Sequence, residues 1–146
     1  MESFGTGLVR GIVADSSILI TAERGKLSTT DVIRSLRQAA GNVPIAICAL
    51  TIAELGHGVY HAATAEKAKQ RRQFLDEIKQ YVPVHPITGA TAELVAQIGG
   101  EQALRGITIP LADLIIGACA IELDYAVATH NVRHFRLIPG LDVRKY

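Results

Sequence analysis

Apolar positions along this chain come in short unbroken runs that alternate with longer, one-sided patterns. The first run, Ile12-Val13-Ala14, is bounded by Gly11 and ends at a single carboxylate, Asp15. Such a run reads as a buried strand of a parallel sheet, hydrophobic on both faces. Gly25 and the polar stretch 28–31 mark a turn and a helix start. That helix carries Val32, Ile33 and Leu36 on one face and stops at Gly41-Asn42. Residues 43–50 read as a second buried strand, with Pro44 near its start where a missing donor is tolerated. Thr51 and Glu54 have capping-box spacing, which predicts a helix opening at 51 and running to about 62. Thr64 is placed to cap a further helix over 65–81 with a charged outer face. Two prolines in 82–87 predict an edge strand. A helix over 91–98, a break at Gly99-Gly100 and a loop over 102–108 follow. Pro110 suits the first turn of a helix that is apolar nearly all round and therefore deeply buried. Residues 126–129 form a fourth predicted strand and 141–143 a short fifth. Strands alternating with helices predict an α/β fold: a three-layer α/β/α sandwich around a mainly parallel sheet of four to five strands.

Composition narrows the class. The 146 residues are 49% hydrophobic and 20% charged, which suits one ordinary domain and excludes a disordered chain. One unit spanning 1–146 is expected, with residues 1–10 a short N-terminal extension that lacks the apolar core of a signal peptide. Glu54, Asp113 and Glu122 interrupt the longest apolar stretches, so no membrane span is predicted and a cytoplasmic location is expected. A formal net charge of +1 excludes nucleic-acid binding by bulk charge. Cys48 and Cys119 lie inside apolar runs far apart in sequence. They read as buried, reduced thiols, with nothing in the spacing to support a disulfide or a thiolate metal site.

Three acids stand out because each interrupts an apolar run: Asp15 after the first strand, Glu54 after the second, and Asp113 in the first turn of the buried helix. Each has a structural explanation, since an acid near a helix N-terminus complements its dipole by about 0.3–1 kcal/mol. Together they point elsewhere. A right-handed parallel sheet presents all three element ends at one rim, where converging carboxylates repel unless a cation sits between them. Hard oxygen ligands suit Mg²⁺ or Mn²⁺. The histidine pairs His57/His61 and His130/His134 have i, i+4 spacing, but they lack the HExxH arrangement and read as packing or surface groups. The run 67–72, interleaved with acids, reads as a solvated helix face.

Four blocks carry a family resemblance. They are Val13-Ala14-Asp15-Ser16-Ser17-Ile18-Leu19, then Leu50-Thr51-Ile52-Ala53-Glu54-Leu55, then Pro110-Leu111-Ala112-Asp113-Leu114, and then Val127-Ala128-Thr129-His130-Asn131-Val132-Arg133-His134-Phe135. In this order and spacing they resemble the PIN-domain ribonucleases, and among them the VapC-like toxins of bacterial toxin–antitoxin pairs. The resemblance implies a Mg²⁺-dependent endoribonuclease, with Mn²⁺ as a substitute, that cleaves RNA through metal-activated water. By matching position, Asp15, Glu54 and Asp113 form the acidic metal site, with Ser17, Thr129 and Asn131 in support. Arg133 and His134 are placed for phosphate contact. The expected partners are the RNA substrate, a cognate antitoxin and a second copy of the chain. The family often has a further acid at or just beyond the position of Asn131. Its absence leaves open the alternative of a degenerate PIN domain acting as a non-catalytic binding module.

Overall fold

A computed structural model describes residues 8–146, so most of the N-terminal extension expected over 1–10 lies outside the described residues. Five strands form one parallel sheet: β1 (Ile12–Ala14), β2 (Ile45–Cys48), β3 (Val84–His85), β4 (Ala126–Thr129) and β5 (Val143–Lys145). Their order across the sheet is β3-β2-β1-β4-β5. The chain leaves β1 toward one edge and returns on its other side at β4. Ile12 pairs with both Ile45 and Ala126, and this register brings the ends of β1 and β4 level.

Helices cover both faces, because successive strand side chains point to opposite sides. Ile12, Ala14, Ile45, Ile47, Ala126 and Ala128 face one core, shared with α1 (Ser16–Arg24), α2 (Thr29–Ala40), α3 (Ala49–Tyr60) and α4 (Ala65–Tyr81). Val13, Cys48 and Val127 face the other, with α5 (Gly89–Leu104), α6 (Leu111–Leu123) and α7 (Val132–Phe135). The predicted three-layer α/β sandwich is therefore the fold.

Several boundaries follow the sequence signals closely. Gly41 ends α2 in the left-handed conformation at φ 85°, and Thr64 caps α4 by accepting from the Lys67 N–H. Others differ. α3 opens at Ala49, directly after β2, with no acid in its first turn. No capping box forms between Thr51 and Glu54, and both residues are carried inside the helix instead. α5 starts at Gly89, two residues before the predicted 91: Thr88 and Thr91 form a capping box, and the helix continues to Leu104. Gly99-Gly100 does not break it. A Cβ on Gly99 would stand 3.0 Å from Leu114 Cδ1, so this glycine serves the close approach of α5 to α6 rather than a turn. Gln102, expected in a loop, is buried in α5 and donates to the Leu137 carbonyl at 2.8 Å. β5 forms at Val143–Lys145, later than the predicted 141–143, because Val127 pairs with Val143. Within the 67–72 run, the expected solvated face fails at Arg71. Its guanidinium is largely buried, donates to the Gly58 carbonyl at 2.7 Å and pairs with Glu23 at 3.8 Å.

Candidate active site at the carboxyl rim

Asp15 is the residue on which the rim is built. It occupies the position before α1, with an extended backbone, yet its side chain makes no capping bond to that helix. Its Oδ2 instead accepts from Ser17 Oγ at 2.8 Å and from Thr129 Oγ1 at 2.9 Å. The carboxylate is only 6% exposed, so these hydroxyls replace water it has lost. Thr129, last residue of β4 and fully buried, also accepts from the Asn131 N–H at 2.9 Å, and Ser17 accepts from the His130 N–H at 3.3 Å. The β1–α1 and β4–α7 turns are thus stitched together around one oxygen.

Glu54 enters from α3 and Asp113 from the first turn of α6. Burial pushes the Glu54 carboxyl above its ordinary range, the nearby Ser16 hydroxyl draws it back, and the charges of Asp15 and Asp113 push it up again. Its Oε1 is buried and has no hydrogen-bond partner. Asp113 is raised for a similar reason. Burial dominates, the His134 hydrogen bond opposes it, and Asp15 adds to it. The His134 Nδ1 stands 2.9 Å from Asp113 Oδ2. The charges of Asp15 and Asp113 thus bear on Glu54, and that of Asp15 bears on Asp113, across the rim. They are more widely spread than a closed cage: among the described residues, the His/Cys/Asp/Glu group whose ligand atoms all lie within 4.8 Å of one another is His85, Cys119 and Glu122.

Asn131 is exposed at the start of α7 and makes no side-chain cap bond. Arg133 is exposed on the same short helix. The two histidine pairs share no site. His61 Nδ1 lies 2.9 Å from the His57 carbonyl, and their rings are exposed. His130 lies beside the Tyr146 carbonyl, whereas His134 faces Asp113. Sequence reasoning missed the role of Ser16, whose hydroxyl meets Glu54 on a helix three elements further along the chain. It also missed the His134–Asp113 contact, which joins residues 21 positions apart.

Comparison with known proteins places the chain in a family. The PIN domain family model matches residues 12–141. The chain is 32% identical over 134 residues to a protein named Ribonuclease VapC from Rickettsia bellii, an alignment covering 91% of this chain and 94% of that one. Its fold is similar to that of a chain in the VapBC2 complex of Rickettsia felis bound to a fragment of promoter DNA. The TM-score is 0.78 at 23% identity, over 93% of this chain and 98% of that one. A chain of the DNA-bound VapBC from Salmonella typhimurium gives a TM-score of 0.76 at 20% identity, over 94% and 98% of the two chains. Among the described residues, no helix is long and apolar enough to cross a membrane.

Proposed function

The chain belongs to the PIN-domain family, and from that premise we propose that it is a metal-dependent endoribonuclease, the toxin of a toxin–antitoxin pair. The observation that carries the reading is the buried, unpartnered Oε1 of Glu54, on a carboxyl held high by burial and by its acidic neighbours. A divalent cation beside that oxygen would supply the missing partner and relieve the repulsion from Asp15 and Asp113. An all-oxygen donor set of this kind fits Mg²⁺, with Mn²⁺ as a substitute. Asp15 and Asp113 would hold the ion, with Glu54 as the third acid. Such an ion activates water for attack on a phosphodiester and steadies the leaving oxygen.

The protein's own part is positioning. Ser17 and Thr129 fix the orientation of Asp15 through one of its oxygens. His134 holds Asp113 and, with Arg133, lies where the phosphate of an RNA strand would approach. Asn131 offers an uncharged polar group at the same edge. The name of the Rickettsia bellii relative supports ribonuclease activity, and the VapBC complexes support a cognate antitoxin as partner. We take the chain to act as one PIN-like unit over 1–146, as a homodimer within that assembly and in the cytoplasm.

The test uses protein stripped of any bound partner and a mixed RNA substrate. Cleavage is expected with Mg²⁺ or Mn²⁺ and not with chelator. Asp15→Asn and Asp113→Asn should each reduce it at least about 100-fold, the scale of lost metal catalysis, while circular dichroism stays unchanged. Parent and variants cleaving equally would indicate a contaminant and sink the assignment. Asn131, where an acid is often found, favours a second reading: a non-catalytic binding module. Calorimetry that detects no Mg²⁺ or Mn²⁺ binding at millimolar concentration would support that alternative.

A further inference from the structure

At the opposite side of α6 from the acids, a second cluster forms with different chemistry. Cys48, the last residue of β2, points into the core beneath α6. Its Sγ lies 2.9 Å from Cys119 Sγ, and both cysteines are buried and free. Cys48 pairs in the sheet with His85 of the edge strand. His85 Nε2 lies 3.2 Å from Glu122 Oε1, and ligand atoms of His85, Cys119 and Glu122 all fall within 4.8 Å of one another. Ligand atoms around a tetrahedral zinc, at metal distances of about 2.0–2.3 Å, stand roughly 3.3–3.8 Å apart. The His85–Glu122 separation is already close to that spacing.

Two further features mark this as a built site. The carboxylate of Glu122 is oriented from behind: fully buried Thr91 donates to its Oε1 at 2.7 Å. An outer partner of this kind fixes a ligating carboxylate. The cluster also has a way in. The side chains of His85 and Glu122 are 21% and 22% exposed, while the thiols lie behind them. Glu122 is nine residues beyond Asp113 on α6, about 13 Å along the helix axis, so the cluster shares no ligand with the acidic rim.

We propose that Cys119, His85 and Glu122 form a binding site for a soft divalent cation, zinc by chemistry. Thiolate and imidazole select such an ion over the hard cation suited to an all-oxygen rim. Binding releases the proton of the Cys119 thiol to solvent, and Cys119 gives up its contact with Cys48 to the ion. The site ties β3, a strand of two residues, to the helix that carries Asp113. Its role is therefore structural.

The test is titration of the full reduced chain with Co²⁺ under anaerobic conditions. Cobalt is visible where zinc is silent, and a thiolate ligand gives it a charge-transfer band that an all-oxygen site cannot. One equivalent should develop that band, and Zn²⁺ should displace it and raise the melting midpoint. Asp113→Asn should leave the band intact, which separates this site from the acidic rim and from the fate of the ribonuclease reading. Cys119→Ser should abolish the band. His85→Ala, at a partly exposed position and checked for folding by circular dichroism, should weaken Co²⁺ binding at least about tenfold. Absence of the band in the reduced parent would overturn the proposal, as would a band unchanged in folded His85→Ala. Recovery of a Cys48–Cys119 disulfide from parent that shows no band after reduction would overturn it too, in favour of a redox pair.

Discussion

Asp15 and Glu54 follow neighbouring strands of one sheet, yet their surroundings are opposite. Asp15 is nearly sealed from solvent, and two hydroxyls bond one of its oxygens. Glu54 has a buried oxygen with no partner and a carboxyl raised by its surroundings. The difference teaches how the rim is divided. The half built from β1 and β4 is held by protein hydrogen bonds alone, so its geometry stands without any ion. The half built from α3 and α6 keeps an electrostatic cost that protein groups do not remove. The proposed cation site would use both: a fixed ligand and an unrelieved one.

Glu54→Gln is the sharpest way to break this contrast. It removes the charge and keeps the shape. Cleavage should fall at least about tenfold. Stability of the metal-free protein, read from its urea midpoint, should rise on the order of 1 kcal/mol. A variant less stable than the parent would mean that the Glu54 charge is already satisfied. The pH dependence follows the same logic. Glu54 and Asp113 both hold their protons more tightly in the folded state than in the unfolded chain. The stability this gives is full below their ordinary values and is lost as pH rises through the higher folded-state range. Metal-free parent should therefore lose stability with rising pH in that window, and Glu54→Gln should flatten the curve.

Thr129→Val tests the tied half. It leaves Asp15 with one hydroxyl and the Asn131 N–H without its acceptor. A loss of about 1–3 kcal/mol is expected from thermal or urea unfolding, the cost of unsatisfied buried groups. A neutral outcome would show that Ser17 alone positions Asp15. The smallest effect is expected at Thr51, whose fully buried hydroxyl also lacks a partner. Thr51→Val should stabilise by about 0.5–1 kcal/mol, visible as a raised melting midpoint. Destabilisation would show that the hydroxyl has a use in the folded protein.

The layered fold was legible because its strands are short apolar runs with clear ends, and β4 falls at 126–129 as its pattern predicts. The three acids stood out for the same reason, a charge interrupting such a run, although each taken alone could serve a helix N-terminus. The capping-box expectation at Thr51 and Glu54 misled because β2 passes into α3 without a loop. Local spacing then imitated a cap two residues inside the helix. Gly99-Gly100 misled because a glycine pair signals a turn locally, while here a neighbouring helix needs the space. The thiol cluster was out of reach for another reason. Cys48 and Cys119 are 71 positions apart and His85 is on a different strand, so only the sheet register brings them together.

The hydrogen bond from Thr129 to Asp15 spans 114 positions of the chain. During synthesis, Asp15 leaves the ribosome long before Thr129 does, and Asp113 and His134 also come late. Until β4 docks against β1, the first acid has the hydroxyl of Ser17 but not that of Thr129. The order of translation thus delays assembly of the rim until nearly the whole chain is made. No chemistry that needs the whole rim can begin on an unfinished chain.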